Sequence, residues 1–203
     1  KRRATKIESH IFRDRASLKF TEEITDVPLT AEVLARRVEE HFDEHGWPSV
    51  LQGDGDPRQT SAVFQRMLRS HRTVWYQNLP RTPQHNPVSE EGQREIRPFL
   101  PPGGAHTVVE GASFVRAGFS TLNRRPRLYR NSKTSEELHN ASRMDTSDAE
   151  VYLRFRLLRR RFRREALPRA RARRMADRRA AEHALVDCGL ATISTGRGLG
   201  CST

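Results

Sequence analysis

The sequence predicts a mainly α-helical chain with little independent globular core, and three observations carry that prediction. Two stretches, after Thr30 and after Asp56, show capped helical spacing. A third, from Asp148 onward, sets a narrow apolar seam among arginines. The hydrophobic fraction is 35%, aromatic residues are 7%, charged residues 31%, and the mean hydropathy is −0.78. That is thin for a compact core but richer than a fully disordered chain. At 203 residues there is room for one ordinary domain or two small ones.

Residues 1–28 mix charges without periodicity and read as an N-terminal arm. Thr30 is placed to cap a helix over Ala31 to His45, with Val33, Leu34, Val38, His41 and Phe42 on its apolar face. Gly46 ends that helix and Pro48 follows. Asp54-Gly55-Asp56 makes a turn. Asp56 is then the expected cap of a second helix, with Pro57 at its first position and Val63, Phe64, Met67 and Leu68 inward. Together they form a small αα-hairpin nucleus over 29–79, with Arg72 to Tyr76 as a short strand.

Six of the chain's 11 prolines fall between Pro80 and Pro102, and Gly103-Gly104 follows. Such a stretch does not continue a helix and lacks the alternation of a sheet. Residues 80–133 are therefore expected as a long extended Pro/Gly-rich strap laid over a larger body. Phe114, Phe119, Leu122 and Tyr129 are its sparse anchors, and Arg124-Arg125-Pro126-Arg127 a small basic cluster. Thr134 with Glu137, and Ser147 with Glu150, form capping-box patterns. The second opens a basic helix from Asp148 to Leu167. Pro168 kinks or breaks it, and a further helical stretch reaches Cys188 before Gly189. Residues 134–188 are thus a basic region with a kinked Arg-rich helix, and 189–203 a small polar tail.

Charge is concentrated in that region. Arg154, Arg156, Arg159, Arg160, Arg161, Arg163, Arg164, Arg169, Arg171, Arg173, Arg174, Arg178 and Arg179 are opposed within it only by Glu165 and Asp177. Thirteen cations against two carboxylates account for +11 of the chain's formal +12. Repulsion on this scale is unfavourable unless a polyanion neutralises it. Regularly spaced phosphates, and so nucleic acid, are the first candidate ligand, and these thirteen arginines the candidate RNA-binding residues. Only four of the 37 basic residues are lysine. Arginine's planar fork binds phosphate at two points, although a GC-rich genome yields the same bias.

On a helical wheel Val151, Phe155, Leu158 and Phe162 make one seam, while Leu153 and Leu157 lie nearly opposite, between Arg160 and Arg164. A solvated charged helix mixes signs and pairs Glu with Lys or Arg, which this one does not. An interfacial membrane helix shows a broad apolar face, and a bZIP-like basic region runs into heptads; neither pattern is present. Beyond Pro168 the composition is nearly pure Arg and Ala, and small alanines let the helix axis approach another backbone closely.

Catalytic motifs are sparse. His41-Phe42-Asp43-Glu44-His45 matches H-x-x-E-H and resembles inverzincin metalloproteases over these five residues, which would make the two histidines zinc ligands and Glu44 a base. Gly46 ends the helix at once, where that family's helix continues. A helix end with His41 half-buried and His45 at the C-terminal dipole accounts for the same residues. Asp54 and Asp56 begin like a calcium loop, but Gln65 stands where a bidentate Glu is required. The glycines at 196, 198 and 200 precede no helix, so no phosphate-cradling loop is expected. Asn140-Ala141-Ser142 is a glycosylation sequon with no sign of secretion. Cys188 and Cys201 form no C-x-x-C and are expected as free thiols. Trp75 and Tyr76, near Arg69, His71, Arg72 and Arg81, either stack on unpaired bases or pack on the helical module. No cofactor, metal site or enzymatic activity is expected. No apolar run approaches 18 residues, so no transmembrane segment is expected.

The Arg-rich stretch Arg154–Arg179, the prolines at 80–102 and the αα-hairpin together resemble a structural protein of an organellar ribosome, of the lineage-specific mitochondrial kind. The resemblance is one of composition and layout. It implies a non-catalytic role, with basic helices on rRNA, arms on neighbouring ribosomal proteins, and a place in the mitochondrial matrix. A chain opening on Lys1-Arg2-Arg3 fits the remnant of an Arg-rich presequence. The alternatives are an accessory subunit of a mitochondrial membrane complex, with the basic helix on anionic lipid, and a small zinc hydrolase at His41, Glu44 and His45.

Overall fold

The computed structural model describes residues 9–25, 28–79, 87–101, 105, 107–141, 148–188, 190–194 and 198–201. Ser147, Gly189, Gly196 and the N-terminal eight residues lie outside them. The fold is mainly helical, as the sequence predicts. Among the described residues seven α-helices accompany three two-stranded sheets. The chain divides into two compact units, one of residues 1–29 and 87–144, the other of 30–86 and 145–203. Each has its own buried cluster, so the expectation of little globular core is corrected.

In the first unit β1 (Ser9–Arg13) and β2 (Phe20–Thr25) pair antiparallel, so the expected N-terminal arm contains a hairpin. Asp14 organises its turn, accepting bonds from the backbone N of Ala16 and Ser17 and from the Ser17 hydroxyl. The expected strap is also corrected, because α3 (Pro87–Ile96) and α4 (Val108–Asn123) occupy much of it. Proline did not prevent this: Pro87 is the first residue of α3, where no intrahelical N–H is needed, and Pro98 sits in a 3-10 turn over Arg97–Phe99. Thr107 caps α4 by accepting from Glu110 N at 3.1 Å. The spacing of Val115, Phe119 and Leu122 then turns one face onto Phe20 and Ile96. Gly118 lets the helices approach closely, since a Cβ there would lie 3.1 Å from Ile96 and Phe99. Asn123 clamps the start of β2, accepting from Phe20 N at 2.9 Å and donating to Phe20 O at 2.8 Å. The Thr134–Glu137 capping box forms as expected and opens α5 (Ser135–Ala141).

A buried charge cluster ties these elements together. Glu95 of α3 receives Arg13 at 2.6 Å and Arg127 at 2.7 Å, and the two arginine side chains are only 4% and 7% exposed. Burial opposes the Glu95 charge, but the Arg127 hydrogen bond and the Arg13 charge outweigh it and hold its pKa below the ordinary 4.5.

In the second unit α1 (Ala31–His45) has the predicted ends: Thr30 accepts from Val33 N at 3.2 Å and Gly46 takes φ 99°. The rest of 29–79 differs from a bare αα-hairpin. β3 (Val50–Gly53) and β4 (Val74–Gln77) pair in parallel, with α2 (Ala62–Ser70) as the connection between them. Ser61, not Asp56, caps α2, accepting from Phe64 N at 3.3 Å. The Asp56 carboxylate is committed to Arg58 instead, to its backbone N at 2.8 Å and its guanidinium at 2.7 Å. α6 (Asp148–Glu165) and α7 (Ala170–Asp187) complete this unit. β5 (Ala191–Ser194) and β6 (Gly198–Cys201) pair antiparallel within the region read as a small polar tail.

Glu95→Gln leaves two buried arginines without their counter-charge and is expected to lower unfolding stability by about 3 kcal/mol, read by chemical denaturation. Because the folded-state pKa of Glu95 is depressed, its contribution is complete above the unfolded value near 4.5 and is lost as pH falls through the folded one. The wild-type chain should therefore lose stability on acidification below that value more steeply than Glu95→Gln.

Candidate nucleic-acid interface

The candidate interface is built on α6 and α7, which form a helical hairpin rather than one kinked helix. Pro168 cannot continue the hydrogen-bonded ladder, and the chain reverses over residues 166–169. The pairing is antiparallel: Arg163 meets Asp177 at 2.6 Å near the connection, and Arg154 approaches Asp187 at 3.9 Å farther away. The reason for folding back lies in residue size. Ala176, Ala180 and Ala184 recur every fourth position on α7, and with Ala181 they face the buried rings of Phe155 and Phe162. A single kinked helix would leave that apolar seam in water. The alanines thus serve a close approach, but to α6 and not to an external backbone. Val74 and Tyr76 of β4 join the same cluster.

This packing sorts the thirteen arginines. Arg159 and Arg163 both donate to Asp177, at 2.9 and 2.6 Å, and the bond to Asp177 raises the Arg163 pKa. Arg178 is nearly buried, lies 4.7 Å over the Tyr76 ring, and donates to Glu182 at 2.9 Å. The Tyr76 hydroxyl donates to the same oxygen at 2.7 Å. Arg161 reaches Glu165 at 3.4 Å. These four, with Arg154, have carboxylate partners. Arg179 is exposed but lies 4.7 Å over Phe162, and Arg174 is half-buried. Arg156, Arg160, Arg164, Arg169, Arg171 and Arg173 remain, all exposed and none paired with a carboxylate among the described residues.

Those six sit at three places on the hairpin. Arg160 and Arg164 share the back of α6 with Leu153 and Leu157, which are 59% and 62% exposed. Arg169, Arg171 and Arg173 line the connection and the first turn of α7. Arg156 lies at the side of α6, beside a groove of about 400 Å³ that also takes in Arg69, Trp75 and Tyr152. Trp75 is half-buried and Tyr76 buried, so only Tyr76 packs wholly within the unit. Nothing in the sequence spacing singles out Tyr152, which sits beside the seam and not on it.

The other candidate chemistry finds less support. His41 is buried against Phe42, and its ring meets that of His45 edge-on at 4.7 Å, while Glu44 is exposed. Among the described residues no group of three metal-ligating side chains converges. Burial pushes the Cys188 thiol pKa up, away from the reactive thiolate. No helix among the described residues is long and apolar enough to cross a membrane.

No known family model matches the chain, and no curated protein does. Its fold is similar to that of one chain of a solved complex. That structure is of the simian T-cell lymphotropic virus intasome in complex with the PP2A regulatory subunit B56 gamma. The TM-score is 0.54 at 18% identity, over 69% of this chain. This chain spans about half of that one, 50% of its length. At such identity the likeness is one of fold.

Enlarging the fully buried Ala180 to Leu should force α6 and α7 apart at a cost of about 2 kcal/mol. Ala170→Leu, at an exposed position, should change thermal stability little; circular dichroism melts of both variants check the pair.

Proposed function

We propose that this protein binds the phosphate backbone of nucleic acid through the outer arginines of the α6–α7 hairpin. The observation that carries this is the set of six exposed arginines with no carboxylate partner among the described residues. A protein that gains nothing from external anions pairs such charges or spaces them apart. Arginines at Arg160, Arg164, Arg169, Arg171 and Arg173 instead add their fields, and release of condensed counterions from a polyanion then drives binding. Contacts of this type position a backbone and carry little sequence information.

Two settings supply such a ligand. The compositional resemblance to mitochondrial ribosomal proteins favours rRNA, a non-catalytic role beside neighbouring ribosomal proteins, and the mitochondrial matrix. The second is DNA in an integration-type assembly, raised by the fold likeness to one chain of a structure that contains a viral intasome and a PP2A subunit. The helices found where a strap was expected take away the threaded arm that was part of the ribosomal resemblance.

Replacing Arg156, Arg160, Arg164, Arg169, Arg171 and Arg173 by Gln should weaken binding to both duplex DNA and structured RNA. It should also flatten the plot of log K against log salt by about one for each phosphate left without its arginine. Arg159→Gln with Arg163→Gln should mainly lower stability, because those side chains hold Asp177. Competition between duplex DNA and structured RNA of equal length separates the two settings. An unchanged salt slope in the six-residue variant would falsify the reading.

A further inference from the structure

The groove beside Arg156 has a chemistry that backbone binding does not use. It lies between α2, β4, α6 and α7; its lining includes three aromatic side chains, Trp75, Tyr152 and Phe155, three arginines, Arg69, Arg156 and Arg159, and one carboxylate, Asp177. Its volume of about 400 Å³ is near the lower end of the roughly 300–1,000 Å³ of small-ligand sites. That is room for one nucleotide-sized group and none for a double helix.

The lining divides by role. Arg159 is held by Asp177 at 2.9 Å and forms a fixed wall. Arg69 and Arg156 are exposed and have no carboxylate partner among the described residues, so their guanidinium groups are available to a phosphate at the rim. Phe64 packs edge-on to Trp75, with ring centroids 6.0 Å apart. The indole N–H is buried and finds no hydrogen-bond partner among the described residues. Flat aromatic faces beside unneutralised arginines suit a ligand that is both planar and anionic. A purely apolar ligand would leave the cations unpaired, and an acidic peptide would leave the aromatic faces without a stacking partner.

We propose that this groove receives an unpaired nucleobase, stacked on Trp75 and Tyr152, while the flanking phosphate rests on Arg69 and Arg156. The site deepens the nucleic-acid reading and rests on it. It makes the surface selective for strands with free bases, such as single-stranded segments or frayed duplex ends, over closed duplex.

The chain has two tryptophans, and Trp47 stacks on the His71 ring at 3.6 Å and does not line the groove. Trp47→Phe therefore leaves Trp75 as the sole tryptophan reporter. This variant is titrated with a single-stranded oligonucleotide, an abasic strand of equal length and a blunt duplex, with deoxy and ribo strands in parallel. Base-containing single strands should quench Trp75 fluorescence, abasic strands should bind without quenching, and the stronger quencher of the deoxy and ribo pair names the strand that supplies the base. Adding Tyr152→Leu, which keeps an apolar side chain but removes the flat face, should weaken base-containing strands about tenfold and leave abasic binding unchanged. Equal affinity for both strands without quenching overturns the base site while leaving the arginine surface intact. Failure of every strand to bind overturns both.

Discussion

The close packing of an alanine face on α7 against the aromatic seam of α6 is the constraint on which the second unit depends. Each buried Phe contributes about 1.5–3 kcal/mol relative to exposure, and only side chains as small as Ala176, Ala180 and Ala184 let two rings descend between the helices. This burial has to offset the repulsion of bringing two arginine-rich helices together. Asp177 helps by placing a carboxylate between them, shared by Arg159 and Arg163, while Glu182 holds Arg178 of its own helix and the Tyr76 hydroxyl of β4. Once the inner faces are settled, the remaining arginines have nowhere to go but outward. The charged surface is thus a consequence of the packing.

Arginine has a different use in the first unit. Arg13 and Arg127 are withdrawn from solvent and converge on Glu95, joining β1, α3 and the segment before α5. There the side chain acts as a multivalent donor: Arg13 also reaches the carbonyls of Leu18 and Val88, at 2.9 and 3.1 Å. One residue type therefore serves as internal tie, around Glu95 and beside Asp177 and Glu182, and as external charge on the outer side of the α6–α7 hairpin. Burial and the nearest carboxylate decide which.

Features set by neighbours in sequence were legible from it. Thr30 and Gly46 bound α1, Thr134 with Glu137 opens α5, and the seam of α6 and the break at Pro168 are where local spacing puts them. Features set by distant partners were not. Val50–Gly53 is too short to announce a strand, and its partner begins only at Val74. α3 and α4 were hidden because prolines read as breakers when counted together, although Pro87 occupies a helix start. Ser61 displaced Asp56 as a cap because Arg58 claims the Asp56 carboxylate. At the candidate site, the thirteen arginines were visible as a group, but which ones stay unpaired depends on where Asp177 and Glu182 land. Only the three-dimensional hairpin decides that.

The most direct test follows individual arginine Nε–Hε resonances by NMR while a nucleic-acid duplex is added to the labelled protein. Arg156, Arg160, Arg164, Arg169, Arg171 and Arg173 should shift progressively, while Arg159 and Arg178 stay in place because Asp177 and Glu182 hold them. Shifts confined to Arg159 and Arg178, or to the first unit, would contradict an outward arginine surface as the element that meets the polyanion.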